Sequence, residues 1–169
     1  MTLDLRPLLR GETDCINIDY TLVPEKIQGV EFKDAVIKGC VTDSAGYMRL
    51  VISAEVEYSS ECARCLEPVS GVFKMDFERT VSDEKTLSKE AIEENDGEYA
   101  IMVDGRLNID EELLEELLLM FPQKLLCSED CQGLCPRCGK PKKIGCECDT
   151  REIDPRLAVL KNFFKDEEN

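Results

Sequence analysis

The sequence predicts an α+β fold: an antiparallel β meander, free to curl into a half-barrel, with two or three helices and a C-terminal cysteine-rich segment. Two observations predict it. Apolar and polar residues alternate along much of the first half of the chain, as in half-buried strands. The second half has leucines at helical spacing, followed by six cysteines between positions 127 and 148. These patterns divide the 169 residues into an α+β core (1–126), the cysteine-rich segment (127–150), and a C-terminal helix and tail (151–169).

The strands follow from short apolar runs bounded by turn residues. The alternation predicts strands over 15–20, 30–41, 47–56 and 69–81, and a buried strand over 99–103. Asp43 to Gly46 has the composition of a hairpin turn, as does Asp104-Gly105. Residues 82–98 are polar and acidic, which predicts an exposed loop or a short helix.

Two helices have recognisable start signals. Asp110 is a predicted N-cap, and acidic residues after it suit the positive end of a helix dipole. One apolar face is formed by Leu113, Leu114, Leu117, Leu118 and Phe121, with Glu115 and Glu116 on the opposite face. Pro122 ends this helix. Asp154-Pro155 starts the last helix, whose apolar stripe is Leu157, Leu160 and Phe164.

Composition excludes several classes of protein. The net charge of −15 disfavours a broad nucleic-acid grip, because such surfaces are usually basic. No apolar run approaches the roughly 20 residues that span a bilayer, and the first residues do not resemble a signal peptide. We therefore expect a cytoplasmic protein with no membrane contact.

Histidine is absent, which excludes Ser-His and Cys-His nucleophilic pairs and histidine-ligated catalytic zinc. We expect no enzymatic activity, no catalytic residue and no small-molecule substrate.

Cysteine chemistry dominates the C-terminal half. In a reducing compartment, clustered cysteines indicate metal or redox chemistry rather than disulfides. Eight of the ten fall into four close pairs: Cys62 and Cys65, Cys127 and Cys131, Cys135 and Cys138, Cys146 and Cys148. Zinc prefers four thiolates donated by two such pairs. The spacing predicts that Cys135–Cys138 and Cys146–Cys148 form one zinc site, while the other two pairs form a second.

Alternatives to this assignment remain open. One zinc site with spare thiols satisfies the same spacing, and four thiolates also suit iron, which recombinant protein could carry instead. A thioredoxin-like redox pair should open a helix, whereas Cys62-Ala63-Arg64-Cys65 precedes a strand. Cys15 and Cys40 lie within strand patterns and are predicted to be buried core residues.

Several motifs in order along the chain resemble the YceD family, also known as domain of unknown function 177. They are Cys62-Ala63-Arg64-Cys65-Leu66-Glu67-Pro68, Ile109-Asp110, Leu125-Leu126-Cys127, Cys131-Gln132-Gly133-Leu134-Cys135-Pro136-Arg137-Cys138-Gly139 and Asp154-Pro155-Arg156-Leu157. The resemblance implies a non-catalytic factor for the processing or accumulation of 23S ribosomal RNA, or for large-subunit assembly. The implied partners are a large-subunit precursor, 23S ribosomal RNA or a basic ribosomal protein.

One local basic cluster interrupts the acidic sequence. Arg137, Lys140, Lys142 and Lys143 are candidate nucleic-acid contacts, although their simpler role is to offset thiolate charge at zinc. The acidic surface favours a basic protein partner. A thiol-based redox or metal-responsive protein is the alternative function, and a nuclease is a weaker third, because no metal-binding carboxylate motif stands out.

Overall fold

The computed structural model describes residues 1–27, 29–86 and 97–148. Its strands are β1 (Thr2–Asp4), β2 (Cys15–Leu22), β3 (Glu31–Ser44), β4 (Tyr47–Glu61), β5 (Pro68–Asp83), β6 (Tyr99–Met102) and β7 (Arg106–Asn108). Its helices are α1 (Arg6–Leu9) and α2 (Ile109–Met120), and a 3-10 turn covers Lys142–Ile144. The last predicted helix, over 154–164, and most of the acidic segment over 82–98 lie outside the described residues.

Five strands form one open sheet in the order β2-β3-β4-β5-β6, and β1 pairs with β7 in a separate two-stranded sheet. Strands β2 to β5 are the predicted antiparallel meander. Ala45 and Gly46 both have positive φ at the β3–β4 turn, as the two central residues of a type I′ hairpin turn require. The sheet does not close into a barrel, because β2 and β6 are its two edges among the described residues.

The meander prediction fails at β6, which pairs with β5 in parallel. Parallel neighbours need a crossover of a dozen or more residues rather than a tight turn. Residues 84–98 provide a connection of that length. The sheet is therefore mixed, although most of its pairs are antiparallel.

One face of the sheet packs on α2. Alternate residues along the long strands, such as Ile37, Ile52 and Met75, are almost fully buried on this face, as are Leu113 and Leu117 of the helix. The helix face differs from the prediction in one respect. Leu118 points away from the core and is 54% exposed, because the buried stripe runs through Ile109, Leu113 and Leu117.

Phe121 anchors the end of α2 in an aromatic cluster. Its ring makes edge-on contacts with Phe32, Tyr58 and Phe73, at centroid separations of 5.1, 5.2 and 5.2 Å. Edge-to-face pairs of this kind stabilise beyond their buried area. The chain that leaves α2 therefore starts from a fixed point on the sheet.

The start of α2 differs from the prediction at its cap. Asn108 precedes the helix and makes no side-chain cap bond, so Asp110 lies inside the first turn. Its carboxylate accepts a hydrogen bond from the Tyr20 hydroxyl at 2.6 Å and pairs with the amino group of Met1. These partners come from β2 and the first residue, and they hold the start of the helix against the sheet.

A buried arginine joins α2 to the sheet. Arg79 of β5 is 2% exposed and donates to Glu112, Glu115 and Glu116 at 2.5, 3.0 and 3.1 Å. Burial raises the pKa of Glu112 above its usual range, although Arg79 opposes the shift. Glu115 and Glu116 therefore face this guanidinium rather than solvent alone, contrary to the prediction.

Candidate metal centres

The first group of cysteines lies where the β4–β5 hairpin turns. Cys62 and Cys65 belong to this turn, and Cys127 and Cys131 come from the segment after α2. All four sulfur atoms lie within 4.8 Å of one another. Two of the separations are 3.7 Å, between Cys62 and Cys131, and 3.5 Å, between Cys65 and Cys127. We call this group the sheet tetrad.

The hairpin turn points the sulfurs of Cys62 and Cys65 in the same direction. The N–H of Leu66 donates to the carbonyl of Cys62 at 3.0 Å, and the N–H of Cys62 donates to Glu67 at 2.8 Å. Leu66 closes the turn with a φ of 61°, in the left-handed region that suits glycine better. The N–H of Ala63 donates to Leu125 at 2.8 Å, which brings the second cysteine pair alongside.

The second group is local in sequence. Cys135, Cys138, Cys146 and Cys148 also place their sulfurs within 4.8 Å of one another, and we call them the loop tetrad. Its first turn repeats the hairpin geometry, because the N–H of Gly139 donates to Cys135 at 2.9 Å and Gly139 has a φ of 69°. Here glycine occupies the position that Leu66 occupies in the sheet tetrad.

The thiols of each tetrad influence one another's ionisation. Burial disfavours the Cys62 thiolate, but backbone N–H groups stabilise it more strongly and lower the pKa of Cys62 to about 6. The N–H groups of Cys138 and Arg137 likewise lower the pKa of Cys135 to about 6. Within the same two tetrads, the pKa values of Cys65 and Cys148 are raised to about 12. For Cys65, burial and neighbouring thiols outweigh the favourable N–H of Glu67, and for Cys148 the Cys138 thiol is the main cause.

A bound cation would stabilise all four cysteines of a tetrad as thiolates, because four thiols this close cannot all ionise without a positive charge between them. Zinc bound to four sulfurs at about 2.3 Å requires neighbouring sulfurs about 3.8 Å apart. The separations of 3.5 and 3.7 Å in the sheet tetrad match that requirement and are far too long for a disulfide. Both tetrads could therefore hold a metal ion, and four sulfurs admit either zinc or iron.

Residues that the sequence did not single out connect the two tetrads. The Arg64 side chain donates to the carbonyls of Cys131 and Glu129 at 2.8 and 3.3 Å, and its own carbonyl accepts from Leu134 at 3.1 Å. Gly133 presses against that same carbonyl, because a Cβ there would lie 3.0 Å from the Arg64 oxygen. Gly133 also has a φ of 73°, a conformation that favours glycine and that the sequence alone does not reveal.

Residues 50–164 match the family model described as "Large ribosomal RNA subunit accumulation protein YceD". This chain belongs to the YceD family. The match covers both tetrads and more than half of the chain, so the resemblance drawn from the cysteine motifs is confirmed.

Relatives of this YceD-family chain occur in mycobacteria. It is 33% identical over 100 residues to uncharacterized proteins of Mycobacterium tuberculosis and Mycobacterium bovis, which covers 59% of this chain and 47% of each relative. An uncharacterized protein of Mycobacterium leprae is 29% identical over 105 residues, covering 62% and 48%. The chain thus spans about half the length of the curated relatives it matches. No solved structure matches it significantly.

The predicted basic cluster lies within the segment that forms the loop tetrad. Arg137 lies in the first turn of that tetrad, Lys140 follows it, and Lys142 and Lys143 occupy the 3-10 turn. Lys142 and Lys143 line a cleft of about 270 Å³ beside the sheet tetrad, together with the acidic residues Glu67 and Asp130. Lys143 lies 3.7 Å from the Glu67 carboxylate. Local carboxylates therefore offset part of this positive charge.

The two remaining cysteines are not core residues, which corrects the prediction. Cys15 is exposed and Cys40 is half-buried on the outer face of the sheet. Period-two alternation alone does not tell which face of a strand meets the core.

Across the described ranges, no helix is long and apolar enough to cross a membrane.

Proposed function

We propose that this YceD-family protein is a non-enzymatic factor that supports 23S ribosomal RNA accumulation by acting in large-subunit assembly. In this proposal, its eight clustered cysteines hold two structural zinc ions in a cytoplasmic protein. The observation that carries the proposal is the family match over residues 50–164, which contains both tetrads.

The donor set supports a structural role for the metal. Catalytic zinc keeps one coordination position open for water or substrate, whereas structural zinc is closed by four protein ligands. Each tetrad supplies four sulfurs, so no position is left for a reacting molecule. Zinc in such sites supplies cross-linking and charge compensation, and the surrounding residues supply the shape.

Net charge favours a basic protein over RNA as the direct partner. The chain carries 36 acidic and 21 basic residues, and Lys142 and Lys143 of the basic cluster line a cleft with the acidic residues Glu67 and Asp130. Ribosomal proteins of the large subunit are natural candidates, because their basic segments neutralise RNA. RNA contact through Arg137, Lys140, Lys142 and Lys143 is the minor arm of the proposal.

A thiol-based redox or metal-responsive protein is the second candidate. The observation that favours it is the closeness of the thiols, since the sulfurs of Cys65 and Cys127 lie 3.5 Å apart. The lowered pKa of Cys62 and Cys135 supports it, because low-pKa thiols are the reactive ones. Bound metal would suppress that reactivity. Rapid alkylation and reversible disulfide formation in metal-loaded protein would favour this second function over the first.

The experiment combines metal content with binding to the subunit. We expect about two zinc ions per wild-type chain, one in Cys62→Ser and in Cys135→Ser, and two in the control Cys15→Ser. Wild-type protein should co-sediment with large-subunit precursors at low salt and more weakly as salt rises. Purified reduced protein without zinc or iron would remove the metal part of the proposal, and failure to co-sediment at any salt concentration would remove the assembly part.

A further inference from the structure

An apolar groove opens beside the end of α2. It encloses about 200 Å³ between the helix, the start of β3 and the segment that follows the helix. Val30, Phe32, Leu117, Phe121 and Leu125 line it with apolar side chains. Because Phe121 is held in the aromatic cluster, the floor of this groove is part of the core and is preformed.

Ser60, Glu61 and Gln123 add polar groups to the lining of the groove. Leu118, which also lines it, is 54% exposed, and the next two residues, Leu119 and Met120, are 73% and 47% exposed outside the groove at the same end of the helix. Scattered exposed leucines are ordinary, but consecutive ones beside an open apolar groove are typical of a docking surface. We call Leu118, Leu119, Met120 and the groove the α2 docking surface.

The helix that carries this surface is acidic. Helix α2 contains Asp110, Glu111, Glu112, Glu115 and Glu116 and no basic residue, and Lys124 is the one basic residue from 109 to 126. Two of these five negative charges are compensated within the protein, one by Arg79 and one by the amino group of Met1, which pairs with Asp110. Glu61 adds a further carboxylate to the groove wall.

The charge discriminates between possible occupants. A second copy of the chain brings a net charge of −15 and is repelled. Residues 149–169 of the same chain contain six acidic and four basic residues, so their net charge of −2 has the same sign as that of the surface. A basic segment of another protein satisfies both requirements, because its apolar side chain fills the groove while its cations face the carboxylates.

We propose that the α2 docking surface binds a basic, amphipathic segment of a partner protein, anchored by one apolar side chain in the groove. This inference rests on the proposed function, since it specifies how a large-subunit protein would be held. Apolar anchors in preformed pockets dominate such interfaces, and the surrounding charges mainly set specificity and association rate.

The test uses the full-length protein as purified, labelled at its methyl groups for NMR. The probes are three synthetic 18-residue peptides: an amphipathic leucine–lysine peptide, the same peptide with serine for leucine, and a leucine–glutamate peptide. We expect only the first to shift the methyl signals of Leu117, Leu118 and Leu125. Leu118→Ser should weaken its binding at least tenfold.

Leu9→Ser is the matched control, because Leu9 lies on α1 and is 52% exposed, almost as much as Leu118. It should bind the first peptide like wild type. Equal binding of the leucine–lysine and serine–lysine peptides would overturn the inference, because the attraction would then be charge alone. So would groove shifts that grow with protein concentration without peptide, or that follow Phe164→Ser, since these indicate a second copy or the chain's own C-terminal segment.

Co-sedimentation separates this inference from the proposed function. If wild-type protein co-sediments with large-subunit precursors but no peptide enters the groove, the inference is wrong and the proposed function stands. If the peptide binds as expected but wild type never co-sediments, the proposed function is wrong. Loss of co-sedimentation in Leu118→Ser, and not in Leu9→Ser, would support both.

Discussion

The two cysteine tetrads have the same first turn but different surroundings. In the sheet tetrad, Cys62 and Cys65 extend the β4–β5 hairpin and are buried, and their partners arrive from a segment more than sixty positions away. The loop tetrad draws all its cysteines from residues 135–148, and Cys138 is exposed. A metal ion in the sheet tetrad would therefore join distant parts of the chain, whereas one in the loop tetrad would close a single loop.

This difference assigns the tetrads different mechanical roles. A cross-link between distant residues removes more conformational freedom from the unfolded chain than one within a short loop. The sheet tetrad should therefore support the position of the whole segment after α2. The loop tetrad should support only its own loop. Any effect of one tetrad on the other should pass through the contacts of Arg64 and Gly133.

The largest expected effect comes from removing one ligand of each tetrad. A structural zinc site contributes on the order of 10–16 kcal/mol of apparent binding free energy, as much as the stability of a domain. Cys62→Ser should release one metal ion and abolish hydrogen-exchange protection at the N–H groups of Ala63 and Leu134. Cys138→Ser should release the other ion and lose protection at Cys135 and Gly139 only.

The strands provide the internal control for this comparison. Chelation of both ions should loosen residues 127–148 and leave the amide protection of β3 and β4 largely intact. Equal loss of protection at Ala63 in both cysteine variants would contradict the proposed division of roles, and an unchanged proteolysis pattern after complete metal removal would contradict the dependence on metal.

A smaller effect is expected at the junction between the tetrads. Gly133→Ala introduces a Cβ 3.0 Å from the Arg64 carbonyl at a φ of 73°, so it should destabilise by about 1–3 kcal/mol. Gly139→Ala is the control, because its φ is similar but no atom lies within 4 Å of the added Cβ. It should lose only about 1 kcal/mol. Chemical denaturation measures both, and equal losses would show that the junction carries no coupling.

The smallest effect concerns the turn residue that differs between the tetrads. Leu66 adopts the left-handed conformation that Gly139 adopts without strain, and its side chain is exposed. Leu66→Gly should therefore raise the free energy of unfolding by up to about 1 kcal/mol, because relief of strain outweighs the added entropy of the unfolded chain. Thermal melts of metal-loaded protein would measure it, and a clear loss of stability would show that the Leu66 side chain packs usefully.

Local signals predicted much of this architecture. The hairpin turn at Ala45-Gly46 and the long strands beside it follow from alternation and turn chemistry, which act between near neighbours. The grouping of the cysteines into close pairs also followed from spacing. A two-residue gap places both sulfurs on one side of a turn in Cys62–Cys65 and Cys135–Cys138, and gaps of three residues and one residue separate the other two pairs. That a metal binds there, and which metal, stays a prediction.

Long-range features could not be predicted in the same way. The ion pairs of Arg79 join residues more than thirty positions apart, and nothing in the local sequence marks an arginine in a strand as buried. The parallel pairing of β6 depends on the long connection from β5, and the outward orientation of Leu118 depends on how α2 lies across the sheet. Cys15 and Cys40 differ from expectation for the same reason, since only packing decides which face is inside.

The pairing of β1 with β7 has a consequence for synthesis of the chain. Thr2 lies opposite Asn108, so during translation β1 must wait for a partner made roughly a hundred residues later. At typical elongation rates this delay is roughly 5–20 s, whereas hairpins such as β3–β4 close within microseconds. The N-terminal strand is thus among the last to join the fold, and Leu3, Leu5 and Leu8 stay unburied during translation until it does.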